Sequence, residues 1–409
     1  MGGIERTSRV RTLRLLLYTF VLVASCMQLA VVPMLPGYAH HFGLSSFEQG
    51  LLLAATGIAT LAVSLPAGAL SDRLGARRVT LWAGELMAVA ALIQALAPTF
   101  SVLILARLIF GVGYGVTWTA GLSWLAEGAP GESSLGGSVA SAGIGGIIGP
   151  AIFGVLAEYF GLRVPFFGAA AVIVAITAAL GFMRLPAASR TPRVAFGHNL
   201  RVIAADRSTI SATAAIVVAG MSTGVAYLLA PEELHRAGGS AGAIGLAFSA
   251  AGVLYVIGSV ITAFYGRRAV RLSIAFAGML AVSLAISPAA LSAAPFAVVA
   301  MLCATAAARS VVWTVSYPLG AAGAARTGAG FGVVMGLLNG VWAVTAVVIP
   351  LVAGAVAEHL SARSVFALAE LSCLAVLAVA VLFARHSRGA VMLRPLEVIS
   401  PATTGSELS

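Results

Sequence analysis

Twelve apolar stretches of about 20 residues punctuate this chain, and a run of that length is what a helix needs to cross the hydrocarbon core of a bilayer. They lie at 13–36, 47–70, 79–97, 101–125, 136–160 and 165–184, then at 209–231, 241–265, 272–290, 294–318, 330–356 and 364–384. Lipid offers backbone groups no hydrogen-bond partner, so such runs close their own bonds as helices. The expected class is therefore all-α and integral to a membrane. Only 9% of the 409 residues are charged and 60% are hydrophobic, against about a quarter charged in a soluble globular protein. That balance excludes a soluble multidomain enzyme. The net charge of +10 is spread thinly between apolar runs, so a nucleic-acid partner is not expected.

Every basic residue is Arg; Lys is absent. Without Lys there is no Walker A phosphate loop and no Schiff base, which argues against an ATP-driven pump in this chain. The three cysteines, Cys26, Cys303 and Cys373, sit inside apolar runs and read as reduced packing residues. All six histidines fall in loops, tails or span edges, and no Ser–His, HExxH or paired-Asp pattern occurs. The chain is read as a non-enzyme with no cofactor and no metal.

Nineteen arginines fall on the face that carries the N-terminus and three, Arg163, Arg236 and Arg363, on the other; Arg107 and Arg309 lie within spans. By the positive-inside rule both termini are expected in the cytoplasm, with the chain in the cell membrane. Val23–Cys26 has the look of a lipoprotein cleavage site, but cleavage would leave eleven spans and spoil this asymmetry. An uncleaved first helix is expected.

Sliding the chain by 200 residues aligns Pro150 with Pro350, Gly154 with Gly354, Ala157 with Ala357 and Glu158 with Glu358. Upstream the offset drifts to 194, where Trp82-Ala-Gly84 meets Phe276-Ala-Gly278. Two parallel six-helix repeats follow: bundles at 1–184 and 209–384, a linker at 185–208 and a tail from 385 to 409, taken as a disordered cytoplasmic end. Parallel repeats about an axis along the membrane normal are one design of secondary transporters.

The loop after span two reads Gly68-Ala-Leu-Ser-Asp72-Arg73-Leu-Gly75-Ala-Arg77-Arg78. It resembles the signature loop of the major facilitator superfamily, with Ala76 in place of a common Arg. The resemblance implies that Asp72 faces the N-terminus of the eleventh helix, near Gly330, as a cytoplasmic gating latch, with Glu127 pairing with Arg77 or Arg73. In the second copy Gly266 replaces the acid. Arg77, Arg78 and Arg271 are equally explained by topology alone.

Span four carries Arg107-x-x-x-Gly111-x-Gly113-Tyr114-Gly115, similar to the fourth-helix motif of proton-coupled members. An Arg inside a span is costly, so Arg107 either serves coupling or snorkels to the surface. Span five carries Gly145-x-x-x-Gly149-Pro150-x-x-x-Gly154, which resembles the exporter motif and equally suits a kinked packing helix. The acid found near the end of the first helix in many drug exporters is missing, with Gln28 in its region. Glu85 and Glu370 remain as intramembrane candidates for carrying a proton, although both spans are peripheral in this family. The family arrangement would bring Gln28, Arg107, Tyr114, Trp118, Tyr227, Arg309 and Trp313 within reach of a central cavity; interface belts explain Trp118 and Tyr317 as well.

Taken with the family, these residues lead to an expected monomeric, proton-coupled exporter of small lipophilic molecules such as drugs or secondary metabolites, working by alternating access. An importer of a polar metabolite or anion, with the arginines as ligands, is the first rival. A transport-inactive sensor or scaffold is the second.

Overall fold

The computed structural model describes residues 2–128, 132–183, 206–327 and 331–391. Most of the expected linker, most of the expected tail and Gly330 lie outside the described residues. The first six helices are α1 (Gly2–Phe42), α2 (Ser46–Leu74), α3 (Ala76–Leu96), α4 (Phe100–Gly128), α5 (Glu132–Phe160) and α6 (Val164–Gly181). The next six are α7 (Arg207–Arg236), α8 (Ala241–Phe264), α9 (Leu272–Leu291), α10 (Pro295–Thr327), α11 (Phe331–Ala357) and α12 (Ala362–Val391). All twelve are long and apolar enough to span a membrane. An even number of crossings puts both chain ends on one face, here called the terminal face; the opposite face is the far face.

The helices begin where side chains cap them. Ser45 caps α2 in a reciprocal capping box with Glu48, and Thr99, Asp206 and Ser240 cap α4, α7 and α8. Each cap satisfies amide groups that the first turn leaves without partners. The α2–α3 corner turns at Gly75, whose φ of +91° is one an L side chain rarely adopts. Helices overrun the apolar stretches that predicted them: α1 reaches back to Gly2, and α12 continues to Val391, so the start of the expected tail is helical.

Two interruptions shape the interior. In α4 residues Thr117–Gly121 form a π-turn, where Thr117 and Thr119 donate their hydroxyls to the carbonyls of Gly113 (2.8 Å) and Gly115 (3.1 Å). Hydroxyls that bond back four residues compete with the helical ladder and widen it. In α9 the helix breaks at Ala285–Ile286 and restarts over Ser287–Pro288.

The halves repeat each other's packing. The α1–α5, α2–α4 and α3–α6 contacts of the first recur as α7–α11, α8–α10 and α9–α12 in the second. Across the halves, α5 packs on α8 and α2 on α11. The largest fully buried side chains include Arg107 among Phe20, Phe110, Phe166 and Phe366.

Candidate functional site

The inter-half contacts build a gate at the far face. Each half supplies a glutamate at the far end of its fifth helix, and it hydrogen-bonds the capped N-terminus of a helix in the other half. Glu158 accepts from Ser240 Oγ (2.7 Å) and from the Gly242 N–H (3.1 Å) at the start of α8. Glu358 accepts from the Phe47 N–H (3.3 Å) at the start of α2. These are symmetry mates: 158 and 358 differ by 200, while Ser45/Ser240 and Phe47/Gly242 each differ by 195. A carboxylate at a helix N-terminus is favoured by the free amides and the positive end of the dipole. The Ser45 hydroxyl, the Phe47 amide and nearby His359 hold the Glu358 carboxyl below the ordinary carboxylate value, outweighing desolvation.

Behind the glutamates the backbones nearly touch. A Cβ on Gly354 would fall 2.5 Å from the Ser46 carbonyl oxygen, and one on Gly154 would press into that of Ala241. One turn further in, a Cβ on Gly245 would lie 2.8 Å from the Pro150 carbonyl carbon and one on Gly50 2.9 Å from that of Pro350. Ser249 donates to the Ile147 carbonyl at 2.5 Å. The contact then ends. Gly143 continues the face of α5 that carries Ile147, Pro150, Gly154 and Glu158, and a Cβ there would meet nothing within 4 Å; the same holds for Gly340, two turns before Val347 on α11. The pairs are closed at the far face and part toward the terminal face.

The exporter-type motif of α5 is thus divided between two tasks. Gly145 and Gly149 lie against α1, where a Cβ would approach Ser25 Cβ (3.0 Å) and Cys26 Cα (2.6 Å), while Pro150 and Gly154 meet α8. In the second half the small residues change sides: Gly220 and Gly224 of α7 receive Thr345 and Ile349 of α11.

The two intramembrane arginines differ. Arg107 does not snorkel; it is 1% exposed, donates to the carbonyls of Met27 and Gln28 (both 3.3 Å) and lies 5.3 Å from the Phe110 ring. It clamps α4 to α1. Gly111 and Gly115 face α2, where a Cβ would stand 2.5 Å from the Thr56 carbonyl oxygen and 3.2 Å from Thr60 Cα, so they pack rather than line a cavity. Arg309 is half-buried in α10; it bonds Thr223 Oγ1 of α7 at 2.5 Å and lies 5.9 Å from the Tyr255 ring of α8. Trp313, one turn on, stacks with Tyr317 (5.5 Å) and meets Trp342 of α11 edge-on (4.8 Å). Tyr317 donates to Asn339. In the first half Tyr114 and Trp118 form a T-shaped pair (6.3 Å), and in the second Tyr227 meets Phe248 (5.5 Å). Gln28 is half-buried, with its side-chain oxygen unpartnered.

At the terminal face, Gly68 lies in the last turns of α2, and Asp72, Arg73, Arg78 and Glu127 are exposed. Arg77 reaches α6 and donates to the carbonyls of Gly181 (2.5 Å) and Met183 (2.9 Å). Glu85 is on an exposed side of α3, and Glu370 accepts from Ser287 (2.7 Å) at the break in α9. Both helices pack within their own halves, away from the α5–α8 and α2–α11 contacts. Three features escaped the reading of the sequence: the Glu158 and Glu358 caps, and the pair of Asp206 with Arg326 (3.1 Å) joining α7 to α10. The only signal for the caps was the recurrence of a Glu at the same register in each half.

Comparison with known proteins decides the family. The family model described as Major Facilitator Superfamily matches residues 17–335. The chain belongs to this superfamily. It has the superfamily fold, with twelve candidate membrane spans. Among curated proteins it is 32% identical over 145 residues to the quinolone resistance protein NorA of Staphylococcus aureus, covering 35% of this chain and 37% of that one. It is 39% identical over 89 residues to D-xylose-proton symporter-like 2 of Arabidopsis thaliana, covering 22% and 18%. The chain thus spans 37% of the length of NorA and 18% of that of the symporter-like protein. Among solved structures, an inward-facing, unoccupied bacterial homologue of the human lysosomal transporter Spinster superposes with a TM-score of 0.74 at 16% identity, over 96% of this chain and 99% of that one. The nucleoside transporter NupG superposes at 0.67 and 14% identity, over 93% and 100%.

Proposed function

We propose that this transporter exports small lipophilic molecules across the cell membrane by alternating access, with protons as the coupling ion and the terminal face in the cytoplasm. The observation that carries the reading is the asymmetry of closure. The halves meet through Gly50, Gly154, Gly245 and Gly354 at the far face and separate past Ile147 and Val347; in this reading the space between them opens to the terminal face. Rocking the halves apart at the far face would break the Glu158 and Glu358 caps. The Asp72 loop is then the latch that holds the opposite, far-open state, with Gly68, Arg73, Gly75 and Arg78 shaping the corner and Arg77 anchoring it to α6. The excess of arginine on the terminal face and the partial similarity to NorA support the direction and the substrate class. The chain is taken to act as a monomer.

The test is growth of an efflux-deficient bacterial host against a broad panel of lipophilic toxicants. Resistance conferred by the protein, with lower cellular accumulation of the same compounds, is expected. Raised accumulation would establish uptake instead. A protein confirmed in the membrane that alters no compound's accumulation would overturn the export reading.

A further inference from the structure

Among the described residues, the helices between the two halves hold a half-buried guanidinium whose hydrogen-bond partner is a neutral hydroxyl, and no opposing carboxylate. A guanidinium carries five N–H donors. Arg107 donates from its two terminal nitrogens to the Met27 and Gln28 carbonyls, and its Nε is buried without a partner, closed off from solvent and from any ligand. Among the described residues Arg309 hydrogen-bonds the neutral hydroxyl of Thr223; it is half-buried, and none of its nitrogens is a buried atom without a partner. Its ring neighbour is Tyr255, one turn beyond Gly252 on α8; Gly252 meets Ile147 at the inner edge of the closed gate. Arg309 therefore lies just past the gate, where α5 and α8 begin to separate.

The acids of the described helices are all elsewhere. Glu5, Asp72, Glu127, Glu132 and Asp206 lie at the terminal ends, and Glu48, Glu158, Glu232, Glu233 and Glu358 at the far ends. Glu85 is exposed on α3 and Glu370 is bonded to Ser287 in the α9–α12 contact. None lies midway along α1, α2, α4, α5, α7, α8, α10 or α11, the helices that face the other half or line the space between. A charge inside a span faces an anion, strong acceptors or water, and among the described residues no carboxylate answers Arg309. Along the same face of α10 are Trp313 and Tyr317, one and two turns on and stacked on each other, with Trp342 of α11 edge-on to Trp313.

We propose that Arg309 is the anion subsite of the transport cavity and that the substrate is an amphiphilic organic anion, a carboxylate or comparable oxyanion attached to a flat aromatic body lying against Trp313 and Trp342. The planar fork of Arg pairs with a carboxylate in two parallel hydrogen bonds, and the aromatic wall takes the apolar part. Arg107 is a structural clamp and no part of this subsite. The proposal rests on the transport reading and narrows its substrate class; it excludes lipophilic cations as preferred substrates.

The experiment uses the full chain in lipid nanodiscs and three probes of one shape and different charge: 2-naphthoate, 2-naphthamide and 2-naphthylmethylammonium. Binding is read by quenching of tryptophan emission. Expected is at least tenfold tighter binding of the naphthoate than of the other two. Arg309→Gln should weaken naphthoate by about 10–100-fold and abolish the charge preference, while Arg309→Lys keeps part of it. Trp313→Ala should weaken all three alike. Thermal unfolding of each variant confirms that it is folded. Equal binding of the three probes, no binding of any, or unchanged naphthoate affinity in folded Arg309→Gln overturns the proposal. Such a failure is separable from failure of the transport reading, because flux and accumulation of the toxicant panel are measured without these probes.

Discussion

Closing the far face depends on α8 lying against α5 at Gly245, and the smallest perturbation of that contact is a methyl group. In Gly245→Ala the new Cβ would stand 2.8 Å from the Pro150 carbonyl carbon and 3.2 Å from Ala151 Cα, where ordinary contact begins at 3.4 Å. These are backbone atoms, so no rotamer change relieves them. The helices must part by at least 0.6 Å, and further to clear the carbonyl oxygen. Overpacking of this kind costs about 1–3 kcal/mol. The contact exists only while the far face is closed, so the cost falls on one state. The helix-propensity gain of Ala over Gly, about 1 kcal/mol, applies to both and cancels. The far-open population should rise about 5–150-fold. Spin labels at Arg163→Cys and Arg363→Cys, exposed far-face positions just before α6 and in α12, would report it as a longer distance, in a background with Cys26, Cys303 and Cys373 replaced by Ala. Gly143→Ala, whose methyl meets open space in this state, is the control. An unchanged distance distribution in folded Gly245→Ala, or an equal response in the control, would refute the reasoning.

Other consequences follow from the same contacts. Because closure holds the Glu358 carboxyl below its ordinary value of 4.5, the cap favours the closed state above that pH and is lost as pH falls through the depressed value. Acidification of the far face should lengthen the same label distance below about pH 4.5, and Glu358→Gln should flatten that response; an unaltered titration would count against the cap. Removing Arg77 frees the last carbonyls of α6, and Arg77→Met should lower thermal stability by about 1–3 kcal/mol; an unchanged unfolding midpoint would show the bonds to be idle. Arg107→Leu should loosen α1 from α4 and raise hydrogen exchange around Met27, and exchange equal to the parent's would contradict the clamp. Asp72→Asn should lower the far-open population, and equal trapping of both states would remove the loop from the gate.

The fold was largely legible because length and apolarity alone define a span, and all twelve predicted runs lie within observed helices to a few residues. The repeat was legible too, since Pro150/Pro350 and Glu158/Glu358 share one offset. What those residues do was not. Each acts on the other half, and the contact needs two registers at once: 200 between α5 and α11, 195 between α2 and α8. The α1–α5 approach hid for a related reason. Its small residues are Gly145 and Gly149 on α5 in one half but Gly220 and Gly224 on α7 in the other, so the close contact recurs while the sequence pattern does not. Arg107 and Arg309 look alike as charges in apolar runs; only the carbonyls of Met27 and Gln28, brought up by α1, separate the clamp from the half-buried guanidinium that bonds Thr223. The π-turn had a local cause in Thr117 and Thr119, but threonine pairs are too common in helices to mark one.

The central claim is movement of a substrate from the terminal face to the far face. Its most direct measurement is flux in vesicles of known protein orientation, using a compound to which the efflux-deficient host gains resistance and an imposed pH gradient. Net transport from the terminal to the far face, faster when the far side is acidic and slowed in Gly245→Ala, is the predicted result. Net movement only toward the terminal face, or none under either gradient, would contradict the account.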